Sequence, residues 1–217
     1  MSEMKVFKFD VDEAYAKQHN EMLRNTKYLV ISGVALFIIS LAAAAAVWFL
    51  VDPSSPWHIL GSIGLALFGV MMLIVALAIP RSVGKVQQLY DAHPLSPAII
   101  TENHGTAVTL TALVNANVDP DLPPRWALTS LVTKPIPGAH DTTGTKIPVT
   151  AVGAQQSVHD KAHWQVITPM PIAWATPDPD VVTQARTSIP HRQWQTLEHA
   201  AKDSELVEAS KKTLQLL

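Results

Sequence analysis

The chain has 217 residues, no cysteine and a formal net charge of −2. That balance offers no strong field to recruit nucleic acid or anionic lipid. The lack of thiols removes disulfides, thiol catalysis, Fe–S clusters and thiolate zinc sites.

The amino end reads MKVFKF, an alternating stretch with the period of a strand. From Asp10 a polar stretch, DVDEAYAKQHNEMLRNTK, reads as a helix, with acids early and bases late as the helix dipole prefers. Val11, Ala14, Tyr15, Gln18, Met22 and Leu23 fall near one face. That face is expected to dock on the soluble part of the chain, lie on the membrane or meet a partner.

Two apolar runs follow, over 28–51 and 59–79, and neither contains Asp, Glu, Lys, Arg or His. A hydrocarbon core about 30 Å thick needs roughly 20 apolar residues in a helix, and each run supplies them. The DPSSPWH between them holds two prolines and cannot continue a helix. The prediction is a transmembrane hairpin over 28–80, with a strand and helix over 1–27 and a soluble domain over 81–217. The first run is too long for the core of a signal peptide and is followed at once by the second, so it is read as uncleaved.

Lys5, Lys8, Lys17, Arg24 and Lys27 precede the first run, Arg81 and Lys85 follow the second, and the connecting loop has no lysine or arginine. The positive-inside rule places both ends in the cytoplasm of an inner membrane, and Trp48 and Trp57 flank the outer turn as an interfacial belt would. Without ionisable groups at depth, a pump, carrier or redox-coupled channel acting alone is not expected. Met71 and Met72 have no histidine partner for haem, so no cofactor is expected. Ser62, Ala66 and Gly69 lie at i, i+4 and i+7, with Gly61 and Gly64 widening a small-residue face. Gly33, Ser40 and the alanines at 42–46 form a complementary face, which serves packing within the hairpin or against another integral membrane subunit.

After a helical exit, SVGKVQQLYDAH, five segments rich in Val, Ile, Thr and Trp are broken by turn-forming residues: PAIITENHG, TAVTLTALVNANV, RWALTSLVT, TKIPVTAVGA and HWQVITPMPIAWA. This spacing predicts an α+β domain built on a small barrel of SH3-like or OB-like size. Pro169 and Pro171 cannot donate to a ladder, which makes the last of the five an edge strand. Helices are predicted from about Val181 to Ser188, from Pro190 through Leu197, and from the Asp203 cap to Leu217.

Chemistry is thinly represented. His159 and His163 in VHDKAHW stand at i and i+4 and are the weak candidates for a metal pair, with His140, Asp141 or His191 as a third ligand. Their setting is a turn feeding a strand, which does not converge such a pair. DPDLPP and PDPD place carboxylates in proline-rich turns without the spaced ligands and glycine of a calcium loop. Phosphate-loop, dinucleotide, nucleophile-elbow and zinc-protease motifs are absent from the sequence. Trp126, Trp164 and Trp174 read as core, and with few basic residues among the strands no nucleic-acid groove is expected.

The tract PMPIAWATPDPD, with IPHRQW soon after and the hairpin before it, resembles a family of uncharacterised corynebacterial membrane proteins with two N-terminal spans and a small cytoplasmic domain. The resemblance implies an actinobacterial inner-membrane protein and brings no catalytic residues. The expected function is a non-catalytic accessory or assembly subunit of a larger membrane complex, with an actinobacterial cytochrome bc–oxidase supercomplex as the specific expectation. A membrane-anchored ligand sensor with its pocket inside the barrel, and a metal-dependent hydrolase using His159 and His163, are the alternatives.

Overall fold

The computed structural model describes residues 4–83, 86–119, 122–156 and 160–217, and divides into two units, 21–84 and the remainder. In chain order the elements are α1 (Glu13–His19), α2 (Glu21–Leu50), α3 (Pro56–Val83), α4 (Val86–Ala92), β1 (Leu95–Asn103), β2 (Val108–Asn115), β3 (Trp126–Thr133), β4 (Lys146–Gln156), β5 (Trp164–Pro171), a 3-10 turn (Ile172–Trp174), α5 (Pro179–Ser188), α6 (His191–Ala200), α7 (Ser204–Ser210) and β6 (Gln215–Leu216).

The smaller unit is the hairpin of α2 and α3, both long and apolar enough to cross a membrane. Only 11% and 17% of their most apolar windows are buried. Leu36, Ile38, Ile39, Phe49, Leu60, Leu67 and Ile74 all stand exposed, unlike the side chains of a helix inside a soluble core. The break between the helices is shorter than the seven residues expected from the sequence. Asp52 accepts from the Ser54 amide and hydroxyl at 2.8 and 2.7 Å, and Pro56 becomes the first residue of α3, where its missing N–H costs nothing.

In the larger unit the amino-terminal segment docks in cis. MKVFKF does not form a strand; it runs extended, with the Lys5 carbonyl accepting from the Leu95 amide at 2.8 Å. Gln87 reaches it twice, donating to the Phe9 carbonyl at 2.8 Å and accepting from the Val11 amide at 2.9 Å. Phe9 meets the ring of Tyr90 edge-on, with centroids 5.4 Å apart. The single helix expected over 10–27 is broken. Asp12 caps α1 by accepting from the Tyr15 amide, and buried Asn20 turns to extended backbone (φ −77°, ψ 111°), so Glu21 onward belongs to α2. Tyr90 is fully buried, its hydroxyl donates to the Pro171 carbonyl at 3.1 Å, and burial pushes its pKa well above the ordinary phenol value.

All neighbouring strands are antiparallel, in the order β5-β4-β1-β2-β3-β6. The register of β1 against β2 shifts between Ile100 and Glu102, and that of β4 against β5 shifts twice between Gly153 and Gln156. Such bulges bend and twist a sheet. The curl brings the start of β5 back toward the segment after β2, where the Trp164 amide donates to the Ala116 carbonyl at 2.8 Å and the Val118 amide to the Ala162 carbonyl at 2.9 Å. The result is a six-strand half-barrel. Its concave core is filled by Ile100, Val108, Leu110, Val114, Ile147, Val149 and Ile167.

The convex face is buried as well, so β2 is buried along nearly its whole length, Thr109 and Thr111 included. There α6 packs on β1 and β2, and α7 on β3, with Trp194, Leu197 and Val207 buried. Asp178 caps α5, and Asp203 caps α7 as expected, since each aspartate accepts from an amide two residues on. The last helix, however, stops at Ser210 rather than continuing to Leu217. Leu214 turns inward against the core, and the Leu217 amide donates to the Trp126 carbonyl at 3.0 Å, so the end of the chain becomes a short strand on the edge of β3.

Candidate functional site

A groove of about 600 Å³ runs along the seam of the half-barrel. Thr129, Ser130 and Leu131 of β3 form one wall, Gln165 to Pro169 of β5 the other, and the stretch from Ser210 to Leu216 lies along it. The seam is laced by a side chain rather than a ladder, since Thr129 Oγ1 donates to the Ile167 carbonyl at 2.9 Å. Pro169 and Pro171 leave β5 short of donors, and β5 is the sheet edge that those prolines predicted.

At one end of the groove His163 bridges two charges. Its Nδ1 lies 2.8 Å from Asp160 Oδ2 and its Nε2 lies 2.9 Å from a guanidinium nitrogen of Arg125. A guanidinium only donates, so Nε2 accepts and Nδ1 carries the hydrogen directed at Asp160. That bond, together with the Ala162 amide, holds the Asp160 carboxyl below its ordinary value. Both ring nitrogens are thereby committed. His159 lies outside the described residues, and among the described residues no three His, Asp or Glu side chains gather as a metal site would require.

Along the seam Lys211 is a hub, donating to Glu208 at 2.6 Å and to Glu102 at 2.9 and 3.1 Å. The β1 bulge turns both Thr101 and Glu102 toward the convex face, where Glu102 also accepts from Thr109 Oγ1 at 2.8 Å. Lys211 first, then Thr109, holds the Glu102 carboxyl below the usual range, while Glu208 and then Glu102 raise the Lys211 ammonium. A row of hydroxyls runs beside this hub: Thr101 to Thr111 at 3.0 Å, Thr111 to Ser130 at 2.7 Å, Ser130 to Ser210 at 2.6 Å.

Trp174 is core as expected, but Trp126 and Trp164 are only half-buried, and Trp164 lines the groove. Ala116 and Ile167 of the concave core also line the groove, so the groove reaches the edge of the core. The pairs that define the groove, 125 with 163 and 102 with 211, are separated by 38 and 109 residues. No local spacing could have announced them.

In the hairpin, the candidate interface residues Ser62 and Gly69 are buried. A side chain at Gly69 would meet Ser40 Cβ at 3.1 Å and the Phe37 carbonyl at 3.3 Å, so this position faces α2. Gly33 stands as closely against Ala76, whereas Gly64 has open space around it. Ser62 donates to the His58 carbonyl at 2.6 Å, and with Ala66 it lines an apolar hollow rimmed by Leu41, Trp48 and Phe49.

Residues 81–205 match the family described as "Protein of unknown function (DUF3239)". The chain belongs to that family. Among solved structures, this DUF3239 chain is similar to the crystal structure of a proposed membrane protein from Corynebacterium diphtheriae, at 45% sequence identity and a TM-score of 0.53, over 57% of this chain and 99% of that one. No curated protein matches the DUF3239 chain. The family match takes in α4 to α6 and all of the half-barrel except α7 and β6, which it leaves almost entirely outside.

Proposed function

We propose that this DUF3239 chain is a non-catalytic accessory or assembly subunit of a larger membrane complex. In this reading α2 and α3 anchor it in an inner membrane with both ends in the cytoplasm, and the half-barrel offers its seam as a contact surface. The strand sequence around the seam, β1-β2-β3 with β4 beside β1 and β5 turning back toward β3, favours an OB-like over an SH3-like arrangement, a fold that commonly presents a surface groove.

The observation that carries the reading is the state of the titratable groups at the groove. An Asp–His pair becomes a catalytic device when the second ring nitrogen faces a hydroxyl or thiol nucleophile. Here that nitrogen faces Arg125, whose guanidinium stays protonated and has no lone pair to attack with. Lys211 is saturated by two carboxylates, and the Ser130 and Ser210 hydroxyls are spent on each other. Exposed Val166 and Leu216 add apolar area between these fixed charges, the mixture expected of a protein contact. The hairpin supports the same reading, because its small residues are used against each other while large apolar side chains face outward to lipid or to other subunits.

Affinity purification of the tagged chain from its native membrane in mild detergent, followed by mass spectrometry, tests the proposal. Stoichiometric recovery of integral membrane subunits is expected, those of a cytochrome bc–oxidase supercomplex being the specific case. Recovery of the chain alone in several detergents would overturn it.

A further inference from the structure

We propose that Ser204–Leu217 is a displaceable strap, which in this structure lies along the β3–β5 groove and covers the edge of β3. The inference deepens the reading of the groove as a contact surface and rests on it: opening the strap would extend that surface to the edge of β3.

Three observations point to a strap rather than a barrel strand. The segment lies almost wholly beyond the family match, which ends at Glu205. It is joined to β3 by only two paired residues, Leu216 with Ala127 and Gln215 with Leu128, and a two-residue pairing is marginal by itself. Its remaining ties are the buried Val207 of α7 and the partly buried Leu214, with the polar contacts of Lys211 to Glu102, Ser210 to Ser130, and the Leu217 amide to the Trp126 carbonyl. Leu216 and Leu217 stay about half exposed, at 48% and 51%. By contrast β2 is paired along its whole length on one side and most of it on the other. An element held by few side-chain ties on a fully paired sheet opens at a lower free energy than the sheet.

Hydrogen exchange on the full chain in detergent micelles tests this directly. Amides of 204–217 are expected to exchange at least roughly tenfold faster than those of Leu110–Leu113 in β2, and Lys211→Met should widen the ratio further without moving β2. Exchange of the strap and β2 at one common rate in the unmodified chain would overturn the proposal, and that comparison needs no variant to fold. Purification of the chain without partners would leave the strap result standing and sink only the contact-surface reading, so the two failures are distinguishable.

Discussion

The indole of Trp164 lies across Gly153 on the neighbouring strand: a methyl group at Gly153 would stand 2.5 Å from Trp164 Cε2 and 2.6 Å from Cδ2 and Cζ2. The glycine is therefore required by close approach of a ring, and that ring is also part of the groove wall. Gly153→Val should displace Trp164, destabilise the soluble unit by about 1–3 kcal/mol and alter the tryptophan fluorescence. Chemical denaturation of the full chain in detergent, followed by fluorescence, measures both; unchanged stability would mean that the ring relocates freely.

Acid should loosen the strap before the sheet. The Glu102 carboxyl is held below its ordinary value by Lys211, so its contribution is fully present above that ordinary value and is lost as pH falls through the lower folded value. Limited proteolysis from pH 7 to pH 3 is expected to expose the segment after Ala200 first. Glu102→Gln should show that susceptibility already at pH 7.

A buried hydroxyl, that of Tyr90, also supports the docked amino-terminal segment, accepting from Asn20 Nδ2 at 3.5 Å. Tyr90→Phe removes the donor to the Pro171 carbonyl while keeping the edge-on contact with Phe9, and should cost about 1 kcal/mol in thermal or chemical unfolding. The Tyr90→Ala change, which also empties a fully buried ring site, should cost about 3–5 kcal/mol.

Glycines of the hairpin should separate by position. Gly69→Leu would press on Ser40 and Phe37 of α2 and is expected to part the hairpin, whereas Gly64→Leu meets no neighbour within 4 Å. Thermal stability in one detergent, compared for the two variants, reads this out. If Gly64→Leu alone reduced association with other subunits, the outward face would be the contact.

Elements with strong local signals were legible in the sequence. The two apolar runs, the five Val/Thr-rich segments, the Asp178 and Asp203 caps and the proline-marked edge strand all follow from residue type and period. Features decided by distant partners were not. Asn20 breaks a helix whose local pattern is continuous, where the amino-terminal segment settles on Tyr90. The last helix stops where Leu214 finds the core and β3 offers an open edge, neither of which lies nearby in the chain. Local spacing drew attention to His163 as half of a metal pair; the structure gives its two nitrogens to Asp160 and Arg125.

The account's central claim, a membrane-anchored contact subunit that uses its seam, is tested most directly by quantitative mass spectrometry of what the chain retains from native membranes, compared with Val166→Asp. Val166 is exposed on the groove wall, so the variant changes the surface while leaving the concave core intact. Integral membrane subunits in stoichiometric amounts with the unmodified chain, and their depletion with the variant, is the predicted result. Retention of the same subunits by both forms, or recovery of the unmodified chain alone, would contradict it.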